Sequence, residues 1–314
     1  MLHRDWGERD PAWAGIRSEI LHVAGTPVHV LRADGPAQGP TQVLVHGLGG
    51  TALNWLEVIA PLSARGPVLA PDLPGFGRTQ PPRSRASRID HNLGFLRALL
   101  RAEGLTRVEV HGNSMGGMLA TLLAAAEPRF VTRLVLVNPA LAGPTSRLRE
   151  LDPDTLRTFG PFTVPGLGER QMARWYARST PQALVEENAA FVHADPGRIR
   201  PVLTEVLIGN AEYALRHPWR IEGFSAAASS LVRVLLQRRR LDAALAAVSA
   251  PILLLWGDAD RLVGRPVIER TRARRPDLTY VELEGVGHAP MMEVPERYLA
   301  AVTAWLAAGT TSAA

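Results

Sequence analysis

Residues 107–127 of this 314-residue chain read RVEVHGNSMGGMLATLLAAAE, and this stretch decides the fold. Its first five residues are typical of a short strand, and the Ala- and Leu-rich residues at its end predict a helix. Between them, GNSMG matches G-x-S-x-G, a motif in which a sharp turn from strand to helix strains the serine backbone. The motif predicts that Ser114 presents its hydroxyl at the strand's C-terminal edge, beside a helix N-terminus that favours negative charge.

The composition is that of an ordinary globular chain. Apolar residues make up 46% and charged residues 21%, and the length suits one large domain or a core with an inserted subdomain. The net charge is +5, but no basic stripe accompanies it, so we expect no nucleic acid as a partner. The absence of cysteine excludes disulfides and thiolate sites. No apolar run is long enough for a membrane span or a secretory signal, which predicts a cytoplasmic protein.

Strands and helices alternate in both halves of the chain but not in its middle. The middle, residues 141–245, has no strand pattern, which favours an α/β core formed by residues 1–140 and 246–314 with an all-helical cap inserted at 141–245. Strands are predicted at 19–23, 28–31, 43–45, 68–70, 107–111, 134–137, 252–256 and 279–283. Core helices are predicted at 54–62, 89–103, 117–127, 266–275 and 295–307, and cap helices at 169–179, 182–193, 199–215 and 225–240.

Two late segments provide the partners that a serine nucleophile needs. A serine hydroxyl is a weak nucleophile at neutral pH, so it requires a base within hydrogen-bond reach and an acid that orients the base. Asp258 and Asp260 follow one apolar strand, and His288 follows the next. Because the carboxyl ends of parallel strands meet at one edge of a sheet, we expect these side chains to lie near Ser114.

Five motifs along the chain occur in the order typical of a known family. They are HGLGG at residues 46–50, DLPGFG at 72–77, GNSMGG at 112–117, GDAD at 257–260 and GH at 287–288. With them the chain resembles the α/β-hydrolase superfamily, in its capped esterase, lipase and C–C bond hydrolase branch. The resemblance covers roughly residues 19–140 and 246–308. It implies a mostly parallel eight-stranded sheet with helices on both faces and an inserted all-helical cap.

The resemblance also implies a role for each site residue. By position, Ser114 resembles the nucleophile, Asp260 the acid and His288 the base of a catalytic triad. The backbone N–H groups of Leu48 and Met115 resemble an oxyanion hole. Family spacing favours Asp260 over Asp258.

Other polar residues are expected to be structural. Some family members place the acid after the strand that ends at Val137, but Asn138 stands there and carries no charge. His46 and His111 are expected to make core hydrogen bonds, whereas His193 and His217 are expected to have no partner. No metal-ligand spacing such as H-E-x-x-H occurs, and the reaction implied by the triad needs no cofactor.

The expected function is hydrolysis of carboxylic esters through an acyl-enzyme. The predicted substrate is a small, apolar, neutral ester, because the cap has no conspicuous charged patch; a homodimer is allowed. One alternative is a C–C bond hydrolase of vinylogous diketones, whose GNSMGG run is similar. Another is a slow-turnover ligand receptor that retains the triad. Cap aromatics that could contact the substrate are Phe159, Phe162, Trp175, Tyr176, Phe191, Trp219 and Phe224.

Overall fold

The eight strands form one mixed, mostly parallel sheet in the order β1-β2-β4-β3-β5-β6-β7-β8. The computed structural model describes residues 3–82, 87–144, 160–164 and 166–311. Only the β1–β2 and β2–β4 pairs are antiparallel. All eight predicted strands are present, which confirms the predicted fold class. Their bounds are β1 Ile16–Val23, β2 Thr26–Ala33, β3 Thr41–Val45, β4 Val68–Pro71, β5 Val108–Asn113, β6 Val131–Val137, β7 Ile252–Gly257 and β8 Thr279–Leu283.

The helices largely follow the predicted pattern. The α-helices are α1 Leu56–Ser63, α2 Ile89–Ala102, α3 Met115–Ala126, α4 Leu167–Arg178, α5 Pro181–Val192, α6 Pro201–Leu215, α7 Trp219–Leu236, α8 Arg238–Ala247, α9 Arg265–Arg274, α10 Pro290–Glu293 and α11 Pro295–Thr311. Short 3-10 helices lie at Trp6–Glu8, Pro11–Trp13, Ala52–Trp55, Gly160–Thr163 and Pro196–Arg198. The single helix predicted at 225–240 is wrong. Gln237 adopts φ −84° and ψ 56°, outside the helical region, and separates α7 from α8.

Helices cover both faces of the sheet because the parallel strands are apolar on both sides. Alternate residues of β7 point to opposite faces, so Leu254 belongs to a core cluster with residues of α2, α3, α8 and α9, whereas Leu255 belongs to a second cluster with residues of α1 and α11. Because β5, β6 and β7 are parallel neighbours, their carboxyl ends meet at one edge of the sheet.

All regular secondary structure in the described part of the insert between β6 and β7 is helical. Residues 141–144, 160–164 and 166–251 contain no strand, and α4 to α8 lie among them. The predicted cap aromatic Phe159 lies outside the described residues. Within the described part of the chain, no helix combines the length and apolar character that crossing a membrane requires.

Candidate active site

Ser114 lies at the turn between β5 and α3 in a strained conformation. Its φ of 55° and ψ of −118° are rare for a residue with a side chain. The conformation is held by backbone hydrogen bonds: Ser114 N donates to the carbonyl of Val137 at 3.0 Å, and Ser114 O accepts from Met118 N at 3.2 Å and Ala140 N at 2.9 Å. The geometry is that of the strand–turn–helix which the motif predicted.

The two motif glycines are required by close backbone contacts. A Cβ added to Gly112 would lie 2.4 Å from the carbonyl oxygen of Gly116. A Cβ on Gly116 would lie 2.1 Å from the carbonyl oxygen of Val45. Any larger residue at either position would displace the turn that carries Ser114.

Asp260 and His288 are in direct contact at the ends of β7 and β8. Asp260 Oδ2 lies 2.7 Å from His288 Nδ1, and both side chains are buried. The other oxygen, Oδ1, accepts from Leu262 N at 2.7 Å and Val263 N at 3.1 Å, which fixes the carboxylate plane. Asp258, the competing carboxylate, instead accepts from Gly285 N at 2.6 Å. The contact with His288 is thus made by the carboxylate that family spacing favours.

Ser114 and His288 line the same cavity. Among the described residues, no hydrogen bond involves Ser114 Oγ.

The loop that carries His288 is held to the neighbouring strand ends by two asparagines. Asn113 Nδ2 donates to His288 O at 2.9 Å. Asn138 donates through Nδ2 to Gly287 O and accepts through Oδ1 from Gly257 N, both at 2.9 Å. Sequence reasoning missed this role of Asn138, whose only signal is a position directly after β6.

A buried glutamate on α10 also holds the His288 loop, and sequence reasoning missed it. Glu293 accepts from Gly287 N at 2.9 Å, from Ala194 N at 3.2 Å and from Asp195 N at 3.1 Å. Burial alone would raise the pKa of Glu293, but the His193 side chain and these N–H groups bring it below its usual value. The carboxylate therefore joins the loop before His288 to the helical insert.

Two histidines expected to have no partner have one. His193 is buried, and its Nδ1 lies 3.6 Å from Glu293 Oε2, an electrostatic contact longer than a hydrogen bond. His217 stacks on Tyr213, with ring centroids 3.8 Å apart. Neither expectation held, because the partner of His193 lies 100 residues further along the chain and that of His217 lies one helical turn before it.

The loop with the two candidate oxyanion groups lies against Ser114. A Cβ added to Gly47 would come within 3.0 Å of Ser114 Cβ. His46, which as expected makes core hydrogen bonds, anchors this loop by accepting from Leu73 N at 3.0 Å. The backbone N–H groups of Leu48 and Met115 have no hydrogen-bond partner among the described residues, and Met115 is the first residue of α3. Free N–H groups at a helix N-terminus favour bound negative charge.

A cavity of about 1000 Å³ extends from Ser114 between the core and the insert. Its lining is predominantly apolar, and its charged residues among those described are Glu186 and Arg220. The described residues contain no cluster of His, Asp or Glu suited to a metal ion. Lining side chains from the insert include Phe162, Trp175, Tyr176, Leu184, Phe191, Leu207, Arg220, Phe224 and Leu231.

Comparison with known proteins agrees with this fold. The family model described as the alpha/beta hydrolase family matches residues 42–301, and the chain belongs to that family. Lipase 1 of Psychrobacter immobilis is 26% identical over 287 residues, which is 91% of this chain and 82% of the lipase.

Two further proteins are similar over most of the chain. The 2-hydroxy-6-oxononadienedioate/2-hydroxy-6-oxononatrienedioate hydrolase 2 of Pseudomonas putida is 29% identical over 263 residues, 82% of this chain and 84% of the enzyme. A crystal structure of a membrane phospholipase A, described as a bacterial virulence factor, superposes with a TM-score of 0.72 at 28% identity. That superposition covers 96% of this chain and 88% of the phospholipase. The relatives thus include lipases and C–C bond hydrolases of one fold.

Proposed function

We propose that this alpha/beta hydrolase is a serine hydrolase that cleaves carboxylic esters. Ser114 is the nucleophile, His288 the base, and Asp260 the acid that orients the imidazole. The N–H groups of Leu48 and Met115 form the oxyanion hole. The observation that carries the proposal is the 2.7 Å contact between His288 and Asp260, on a cavity that a strained Ser114 also lines.

The proposed reaction proceeds through two acyl-transfer steps. His288 Nε2 takes the hydroxyl proton as Ser114 Oγ bonds to the ester carbonyl carbon. The resulting oxyanion accepts hydrogen bonds from the two N–H groups, and its collapse expels the alcohol, which takes the proton from His288. Water, deprotonated by His288, then attacks the acyl-enzyme; Ser114 Oγ takes that proton from His288 as it leaves, and the acid is released. The serine hydroxyl has to rotate towards His288 when substrate binds, as catalytic hydrogen bonds often tighten only in the complex.

The proposed cap comprises residues 141–245, with residues 1–140 and 246–314 as the core. The last helix of this segment, α8, packs on α3, so the chain returns to the core there. The apolar lining of the cavity supports an ester with an apolar body, as expected from the sequence. The buried cation Arg220 lines the same cavity, which argues against the neutral substrate expected from the sequence.

The direct test replaces Ser114 by alanine. Wild-type protein should hydrolyse p-nitrophenyl esters and react with a fluorophosphonate probe, and Ser114→Ala should do neither while keeping its circular dichroism spectrum. Labelling of the folded variant at the wild-type rate would refute the assignment of the nucleophile. Transfer of one acyl equivalent to the protein, with one equivalent of p-nitrophenol released and no steady turnover, would instead identify a slow receptor that retains the triad.

Cleavage of a C–C bond is the second candidate. It is favoured by the 29% identity with the Pseudomonas putida hydrolase and by the GNSMGG run at residues 112–117, which resembles the C–C bond hydrolase branch. The loop Gly47-Leu48-Gly49-Gly50 lacks the Gly-Pro-Gly pattern common in that branch. A vinylogous diketone assayed beside the ester panel separates the two, and a kcat/KM higher for the diketone than for every ester would reverse our order.

A further inference from the structure

Arg220 is a buried cation in the wall of the cavity that holds Ser114. It lies at the start of α7, only 7% of its surface is exposed, and it lines the cavity. Transfer of a charge from water into a protein interior costs free energy, so buried charges normally have an ionic partner. Arg220 has no such partner among the described residues.

The hydrogen bonds of Arg220 involve only neutral acceptors. Nη1 donates to the carbonyl of Gly77 at 3.0 Å and to Asn210 Oδ1 at 3.2 Å. A guanidinium has five N–H donors, and Nη1 carries two of them. The donors on Nε and Nη2 have no partner among the described residues, and neither atom is a fully buried one. The exposed part of this side chain is therefore available to a ligand in the cavity.

Among the described residues no charged group is hydrogen-bonded to Arg220, and the attraction of Asp72 offsets part of its buried charge. The nearby carboxylate, Asp72, is already bound by His29 Nδ1 and by the N–H groups of Ala52 and Arg78. Arg78 adds a second positive charge, and its guanidinium stacks over Tyr213 at 4.6 Å. Burial lowers the pKa of Arg220, and the phenol of Tyr176 only partly offsets this effect.

Other lining groups leave this end of the cavity positive. Glu186 is the one carboxylate among the described lining residues, but it is exposed and bonded to Gln182 at 2.8 Å. A guanidinium without an ionic partner among the described residues, in a predominantly apolar wall, favours a planar anion, because its parallel N–H groups match the two oxygens of a carboxylate.

The position of Arg220 relates this charge to the reacting centre. Phe224, four residues later, lies on the same face of α7. Its ring is 3.1 Å from where a Cβ of Gly49 would be, next to the candidate oxyanion group of Leu48. Arg220 is thus about one helical turn, on the order of 6 Å along the axis, from the residue that contacts the oxyanion loop.

We propose that Arg220 binds a carboxylate at the end of the substrate remote from the scissile bond. The substrate class is then a half-ester, in which an apolar chain of a few methylene groups separates the ester carbonyl from a free carboxylate. This inference rests on the proposed ester hydrolase activity and changes the expected substrate from neutral to monoanionic.

The test compares matched half-esters and neutral esters. Mono-p-nitrophenyl esters of dicarboxylic acids, from succinate to suberate, are assayed beside the same compounds with the free carboxylate methylated. For the wild type, kcat/KM of the best half-ester should exceed that of its neutral partner by about tenfold or more, the size of a charge-assisted hydrogen bond. A ratio of one or less at every length would overturn the proposal.

Variants at Arg220 separate ligand binding from a structural role. The preference should be lost in Arg220→Gln and partly kept in Arg220→Lys, because lysine keeps the charge without the planar fork. Arg233→Gln is the matched control, since it removes the same charge from an exposed position on the same helix. If Arg220 only joins α7 to the Gly77 loop, Arg220→Gln will lower kcat/KM equally for the half-ester and for the neutral ester. The ratio of the two kcat/KM values will then be unchanged, which refutes the proposal.

A binding measurement keeps the two proposals distinguishable. If Ser114 reacts with neither ester nor fluorophosphonate, the proposed hydrolase fails. Calorimetry with monomethyl and dimethyl suberate then tests the anion site alone. Tighter binding of the monomethyl compound by wild type, lost in Arg220→Gln, supports the site, and equal binding of the two overturns it.

Discussion

Ser18 and Ser114 illustrate, at the scale of single residues, why a serine beside a histidine is not by itself a nucleophile. Ser18 Oγ lies 3.3 Å from His29 Nε2, and His29 Nδ1 lies 2.7 Å from Asp72. Yet Ser18 belongs to the regular strand β1, accepts a hydrogen bond from Trp6 Nε1 and does not line the Ser114 cavity. The strained backbone and the cavity distinguish the proposed nucleophile.

Removal of each hydroxyl is therefore expected to have a different result. Ser18→Ala should keep ester hydrolysis and fluorophosphonate labelling within about twofold of wild type, because it changes a group that does not line the cavity; Ser114→Ala should abolish both. Steady-state kinetics on one short-chain p-nitrophenyl ester check this. Loss of labelling in a folded Ser18→Ala variant would contradict our assignment.

Asp258 and Asp260, the two carboxylates after β7, are expected to differ in how much kcat falls when each is neutralised. Asp260→Asn should lower kcat by roughly 10⁴-fold, the loss known for neutralisation of a triad aspartate, because an amide favours the wrong tautomer of His288. Asp258→Asn, which affects only the bond to Gly285 N, should cost less than tenfold. The opposite ranking would show that Asp258 is the acid.

Strand β5, at the scale of elements, carries a buried histidine that makes stability depend on pH. His111 Nδ1 hydrogen-bonds Tyr298 at 2.5 Å, and burial, with Arg65, lowers the pKa of His111 to about 3. An unfolded histidine has a pKa of about 6.5. Between these values the unfolded state binds the extra proton, so the free energy of unfolding falls as pH falls from about 6.5 towards 3.

Replacement of His111 by glutamine should weaken the pH dependence of the free energy of unfolding. Urea unfolding of His111→Gln between pH 4 and pH 7 should give a smaller change in unfolding free energy than wild type, because glutamine does not titrate. His91→Gln is the control, since His91 is exposed on α2. Equal pH dependence in all three proteins would mean that His111 does not determine the acid sensitivity.

Helix α10 contributes Glu293, which should act on catalysis through the position of His288. Glu293→Gln places an amide N–H opposite backbone N–H groups and weakens the contact with Gly287. We expect kcat to fall by up to about 100-fold with little change in KM, because small misplacements of a catalytic group are costly. Glu296→Gln, an exposed neighbour with the same charge change, should match wild type. An unaltered kcat in folded Glu293→Gln would refute this positioning role.

The proposed core and cap are not independent at the scale of the whole molecule. His288 N donates to the carbonyl of Val192 at 2.7 Å, and Glu293 accepts from Ala194 N. Excision of the insert would therefore expose Ser114 and also remove support from the His288 loop. Single substitutions in the insert are a cleaner probe of its role.

Substitution of an aromatic side chain that lines the cavity should change substrate choice rather than intrinsic reactivity. Phe162→Ala enlarges the cavity and should shift the preferred p-nitrophenyl ester to a longer acyl chain, with labelling by a small phosphonate nearly unchanged. Trp219→Ala is the control, because Trp219 does not line the cavity. An unchanged acyl-length profile in Phe162→Ala would contradict substrate contact by the insert.

The sequence by itself determined the eight strands, the order of the motifs and the candidate site residues. These features depend on local patterns and chain order, since parallel strands bring their carboxyl ends to one edge wherever the pattern recurs. Tertiary structure decided that His288 contacts Asp260 and that Glu293 reaches Ala194 across 99 residues. It also decided that Arg220 is buried without an ionic partner in the part of the chain that the structure describes. Such contacts join residues far apart in the chain, and their distances are set by how the helices pack on the sheet, which no local pattern encodes.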